Sequence, residues 1–207
     1  MKPILFNTEM VRAILDGRKT QTRRIAAEKI YLDKEWGLDK EPYLKEGKWY
    51  YDKQTAVDDS KRYEMRPKYQ VGDILWVRET WNYSPNWYYC YKADAVPEDN
   101  HGYFGSIPWK PSIHMPREAA RIFLRVTNVR VERLQDITEE DAKCEGVKDP
   151  YEYQKPAYYD EPFRQLRGKE INQCAFAGLW DTCYQWPNTW TANPWIWVYE
   201  FERVSKE

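Results

Sequence analysis

Gly17-Arg18-Lys19-Thr20-Gln21-Thr22-Arg23-Arg24 sets one lysine, two threonines and three arginines in a single strand-like run. That composition suits an anionic or polar ligand better than a core. Directly before it, Asn7-Thr8-Glu9-Met10-Val11-Arg12-Ala13-Ile14-Leu15-Asp16 reads as a capped helix, with polar Asn7 and Thr8 leading in and Met10, Val11, Ile14 and Leu15 on one face. Gly17 is the expected stop. The order is then strand (Pro3 to Phe6), helix, glycine and basic strand. On a regular strand alternate residues face opposite ways, so Lys19, Gln21 and Arg23 fall on one side and Thr20, Thr22 and Arg24 on the other.

Further along, Val71-Gly72-Asp73-Ile74-Leu75-Trp76-Val77-Arg78-Glu79-Thr80-Trp81 opens on a Gly-Asp turn and continues as a central strand, and Trp87 to Tyr91 reads as the next one. In Arg121 to Leu134, Ile122, Leu124 and Val126 share a face and Val129 and Val131 follow in the opposite phase. The slip at Thr127-Asn128 predicts a bulge or bend. Asp136 to Asp141 supplies an N-cap and acidic first turn for a short helix through Ala142, Cys144 and Glu145 to Gly146. Ile171, Cys174, Ala175, Gly178, Leu179 and Cys183 lie at helical spacing within 170–184. Trp195, Trp197, Tyr199 and Phe201 alternate along a closing strand. Two segments, 26–67 and 148–168, lack a sustained period and read as insertions, the first a poor candidate for core scaffold. The sum is one α+β domain over 1–207: a curved sheet or barrel with two or three short helices and two insertions.

Composition narrows the function less. Lys+Arg (32) and Asp+Glu (33) nearly cancel, so a nucleic-acid site has to be a local patch. The 11 Trp and 17 Tyr suit either a core or base stacking. No apolar run approaches the roughly 20 residues of a membrane span, and no signal-peptide core follows Met1, so a cytoplasmic protein without membrane association is expected. Cys90, Cys144, Cys174 and Cys183 form no Cys-x-x-Cys pair and have only His101 and His114 as co-ligands, so they read as buried free thiols; neither a metal nor a cofactor is expected.

The motifs Gly-Arg-Lys-Thr-x-Thr-Arg-Arg, Val-Gly-Asp-Ile-Leu-Trp-Val-Arg-Glu-Thr-Trp and Leu-x-Asp-Ile-Thr-Glu-Glu-Asp-Ala-x-x-Glu-Gly-Val, in this order, resemble the ASCH domains of the PUA-like superfamily. Trp109 to Ala119 narrows the resemblance to ASCH proteins encoded by phages and prophages. It implies a PUA-like β-barrel and an association with RNA or modified nucleobases. A further resemblance, to small bacterial enzymes that hydrolyse the acetyl amide of N(4)-acetylcytidine, implies catalytic roles for Lys19, Thr22 and Glu145. Those enzymes are much shorter than this chain.

Amide hydrolysis needs a nucleophile, a proton acceptor and oxyanion stabilisation. Lys19 suits the base if burial and its arginine neighbours lower its pKa; Thr22 suits the nucleophile or a water anchor; Glu145 suits proton steering or a grip on the exocyclic nitrogen. A regular strand points Lys19 and Thr22 to opposite faces, so a shared site needs a twist between them. Arg18, Thr20, Arg23 and Arg24 are candidate substrate contacts, joined by Arg78, Glu79 and Trp81 and by Lys110, Ser112, His114 and Arg117 of a proline-bounded loop. Trp76 and Trp109 are further stacking candidates. Each also has a structural reading: a salt-bridged strand, a Glu79 to arginine pair, a loop that closes the barrel. A non-catalytic RNA-binding module, an RNA-cleaving nuclease and a phage interaction protein are the alternatives.

Overall fold

The helix-then-basic-strand order holds in the computed structural model, which describes residues 1–26, 42–53, 61–83, 88–95, 108–147 and 171–206. Strand β1 (Lys2–Leu5) runs into helix α1 (Thr8–Leu15), whose cap is Asn7: its side chain accepts from Met10 N at 2.8 Å. Gly17 takes φ +76°, the left-handed value that ends the helix, and the chain enters β2 (Gln21–Ile25). The long strands are β6 (Ile74–Arg78), β9 (Phe123–Arg133) and β10 (Trp195–Val204). They assemble in the order β1-β6-β9-β10-β2, with β1 parallel to β6 and the other pairs antiparallel.

The predicted phase slip is a bulge. Glu200 pairs with Asn128 and Phe201 with Val126, leaving Thr127 as the extra residue. Both phases of β9 consequently reach one core: Leu124 and Val126 are buried there, and Val129 and Val131 pack against it. The alternation of β10 divides two cores in the same way. Trp195, Trp197, Tyr199 and Phe201 join Ile4, Val11, Leu75 and Ile122, while Ile196 and Val198 face the helices.

The mixed α+β class is as expected, but the backbone ladder among the described strands is an open five-stranded sheet rather than a closed barrel. Its edges β1 and β2 are bridged by a side chain instead: Arg24 Nη2 donates to Leu5 O at 3.0 Å and the guanidinium lies over the Phe6 ring.

On the helical face, α2 (Glu139–Cys144) is capped by Thr138, within the stretch read as cap and acidic first turn, with the Thr138 hydroxyl accepting from Asp141 N. Helix α3 (Ile171–Cys183) buries Cys174, Ala175, Phe176, Ala177 and Trp180. Its buried side differs from the predicted stripe, since Ile171 and Cys183 are exposed and Phe176 and Trp180 replace them. Of the other cysteines, Cys90 and Cys174 are buried and Cys144 is half-buried.

The first insertion contributes more than its sequence suggests. β3 (Tyr43–Lys45), β4 (Lys48–Lys53) and β5 (Lys61–Met65) form a second sheet that places Met65 in the main core and the Trp49 ring edge-on to Trp197. β7 (Trp81–Tyr83) and β8 (Tyr89–Tyr91) form a hairpin over a third core of Trp76, Trp81, Met115, Ala119, Ala120 and Phe123. The second insertion, 148–168, lies outside the described residues. Among those described, no helix is long and apolar enough to cross a membrane.

Candidate active site

The site is built where β2 begins. Arg18 N and Lys19 N both donate to Ala13 O, so the chain folds back across the end of α1; Thr20 N then donates to Cys144 O. Lys19 and Glu145 thereby form an isolated antiparallel bridge. The close approach depends on Gly146, at φ +80°, where an added Cβ would sit 2.7 Å from Ala13 Cβ and 2.8 Å from Lys19 Cβ.

This bridge brings Lys19 and Glu145 together in the interior. Lys19 Nζ donates to Glu145 Oε2 at 2.7 Å and to Glu145 O at 2.8 Å, with the lysine side chain 0% and the glutamate side chain 3% exposed. Glu145 Oε1 accepts from Arg23 Nη1 at 3.0 Å. Arg23 also meets Glu132 Oε1 at 2.7 Å and Asp141 Oδ2 at 3.3 Å, and Gln21 Nε2 donates to Asp141 Oδ1 at 3.0 Å. Arg130 extends the network to Glu132, Asp141 and Glu200. Lys19, Gln21 and Arg23 do share a side, but it is a buried one, neutralised by acids from β9 and α2, and not a surface patch for an anion.

Burial lowers the Lys19 pKa below its ordinary 10.5; Glu145 opposes that shift, and Arg24 and Arg23 add to it. At Asp141 burial pushes upward, and the Gln21 hydrogen bond with Arg23 and Arg130 outweighs it, so the carboxyl lies below its usual range.

Thr22 stands opposite Tyr199 in the ladder and so belongs to the other face. Its hydroxyl accepts from Arg24 Nη1 at 2.8 Å and touches neither Lys19 nor Glu145. Arg24, which holds the Thr22 hydroxyl, also lines the same cleft as Arg23 and Glu145.

A cleft of about 300 Å³ opens on this cluster, with Arg23, Arg24 and Glu145 at one wall and Phe176, Trp180 and Tyr184 of α3 and its C-terminal extension at another. Trp180 and Tyr184 are stacked at 4.2 Å. Lys19 does not line it; Glu145 stands between. The cleft offers a carboxylate acceptor, guanidinium donors and ring faces, which together suit a flat polar heterocycle. The aromatic wall was absent from the sequence expectation, although Phe176, Trp180 and Tyr184 recur every four residues, a single helix face.

The remaining candidates lie elsewhere. Arg18 donates to Gly146 O and pairs with Asp16, and Thr20 is exposed beside the bridge. Arg78 donates to Ile113 O and lies over Trp76; Glu79 is buried and held through both oxygens by Arg121, at 2.9 and 3.0 Å. Burial raises the Glu79 pKa against the pull of Arg121. Trp81 and Trp76 are core residues, with Lys110 over the Trp81 ring; Trp109 is half-buried. Ser112 and His114 lie in a 3-10 turn, and Arg117 contacts Met1 at a separate shallow cleft. None of Arg78, Glu79, Trp81, Ser112, His114 or Arg117 lines the Glu145 cleft. Among the described residues no group of three or more His, Cys, Asp and Glu is placed to hold a metal ion.

No family model, curated protein or solved structure matches the chain.

Proposed function

We propose that the chain is an ASCH protein of the PUA-like type that takes a nucleoside, free or within RNA, into the Glu145 cleft and hydrolyses the acyl amide of a modified base such as N(4)-acetylcytidine. The observation that carries this reading is the buried pair of Lys19 Nζ and Glu145 Oε2 at 2.7 Å, behind a cleft with an aromatic wall. A curled sheet whose edges meet across Arg24 supports the family reading.

Glu145 faces the cleft, so it is the group that receives the proton as water adds to the acetyl carbonyl carbon. The oxyanion so formed lies against Arg24. Collapse breaks the carbon–nitrogen bond, the proton passes from Glu145 to the exocyclic nitrogen, and acetic acid and cytidine leave. Lys19 holds Oε2 and, with its pKa lowered, can relay that proton. Thr22 acts through Arg24, as a positioning residue.

The test is incubation with N(4)-acetylcytidine, following cytidine by chromatography. Wild type releases cytidine, and Lys19→Ala, which leaves Glu145 paired with Arg23, loses most of the rate. Absence of release by wild type would overturn the catalytic reading. A second reading, a non-catalytic RNA-binding module, is favoured by one observation: both Glu145 oxygens are already ion-paired. It predicts salt-dependent RNA binding, weakened by Arg24→Glu, with no product.

A further inference from the structure

A second cleft, of about 170 Å³, shares the Arg24 wall with the first and is lined on its other sides by Arg66, Lys68, Tyr69, Trp197 and Tyr199. Among the described residues no carboxylate lines it. Arg24 spends its donors on Thr22 Oγ1, Arg23 O and Leu5 O, and Lys68 Nζ sits over the Tyr69 ring; neither has a carboxylate partner among the described residues. Arg66 meets Glu64 through Nε and Nη2, which leaves Nη1 uncommitted on a side chain 79% exposed. At the floor, the Trp197 indole N–H is buried without a hydrogen-bond partner among the described residues. Burial raises Tyr69 and pushes Tyr199 up to about 12, so both hydroxyls stay neutral and add no negative charge.

Two cations without a carboxylate partner among the described residues, Arg24 and Lys68, and the uncommitted Nη1 of the Glu64-paired Arg66 gather over an aromatic floor and attract a compact anion. Guanidinium donors match phosphate oxygens in particular. We infer that this second cleft is a phosphate subsite, so that the ligand of the Glu145 cleft is a nucleotide, with its phosphate on Arg66 and Lys68 and Arg24 between phosphate and base. The placement of the base rests on the proposed function; the phosphate subsite does not. The phosphate can be a terminal group or a backbone diester, since both present the same oxygens.

Titration calorimetry with cytidine, cytidine 5′-monophosphate, oligocytidylate and inorganic pyrophosphate separates these parts, using wild type and the double variant Arg66→Ser with Lys68→Ser. The expected result is that phosphate-bearing ligands bind wild type about tenfold or more tightly than cytidine, an advantage lost in the double variant and at high salt while cytidine binding stays unchanged. A gain with the monophosphate identifies a terminal phosphate; a gain confined to the oligonucleotide identifies a diester. Equal affinity for cytidine and all phosphate-bearing ligands, or an advantage retained in the double variant, overturns the subsite. If cytidine fails to bind, the base reading fails; the subsite then stands if pyrophosphate binding drops tenfold in the double variant and falls if it does not.

Discussion

Glu145 illustrates how one residue organises its surroundings. It accepts from Lys19 on one oxygen and Arg23 on the other with its side chain only 3% exposed, so attraction has to offset the desolvation of all three charges. Glu145→Gln takes the carboxylate partner from buried Lys19, while Arg23 keeps Glu132 and Asp141, and is expected to cost about 3 kcal/mol, measured by urea unfolding at pH 7. The pKa of Lys19 gives a second, signed expectation. Its folded value lies below the 10.5 of the unfolded chain, so between the two values the unfolded chain binds the extra proton and stability rises with pH. Thermal unfolding of wild type and Lys19→Met from pH 7 to 10 should show the wild type gaining on the variant; a constant difference would mean that burial does not depress the lysine.

At the scale of elements, the site depends on one close crossing, where α1, the start of β2 and the end of α2 meet at Gly146. Gly146→Ala has to relieve two Cβ contacts under 3.0 Å as well as a positive φ, and is expected to cost about 2–4 kcal/mol. It should also separate Lys19 from Glu145. Gly17→Ala is the control: φ is +76° there but the surrounding space is open, so the expected cost is only about 1 kcal/mol. Paired chemical denaturation of the two variants tests the difference, and equal losses would mean that conformation alone matters at Gly146. The sequence showed a glycine stop at each site. It did not show which glycine is pressed against another element.

Across the whole molecule, tyrosines tie elements together from inside. Tyr69 donates to Pro3 O, Tyr199 accepts from Lys68 N, and Tyr91 donates to Ala119 O while Arg121 lies over its ring. Burial pushes Tyr199 and Tyr91 up to about 12 and raises Tyr69 and Tyr184. These groups ionise near 10 once unfolded, so the stability they contribute is complete below pH 10 and is lost as pH rises toward 12. Phenolate absorbance should rise in two stages, exposed tyrosines first and the buried set together with unfolding, and Tyr199→Phe should lessen the alkaline loss. A single stage near pH 10 would mean that these hydroxyls are open to water.

Much of the fold was legible because its signals are local. The Asn7 cap, the stop at Gly17, the alternation of Trp195 to Phe201 and the phase slip at Thr127 each involve only the hydrogen bonds or side-chain faces of a few consecutive residues. The sequence alone thus determined the helices and strands of the main sheet, the slip in β9 and the α+β class, and it set Lys19 and Arg23 on one side of their strand. Only the tertiary structure decided what that side meets. Glu132, Asp141 and Glu145 reach it from more than 100 residues away and turn a basic surface strand into a buried ion network. Phe176, Trp180 and Tyr184 wall the cleft from a helix later still, while Arg78, Glu79 and His114 do not line it and adjoin Trp76, Trp81 and Met115 of another core in the chain. Strand periodicity sorts side chains between two faces, but the dielectric and counter-charge of each face come from whatever distant segment packs there.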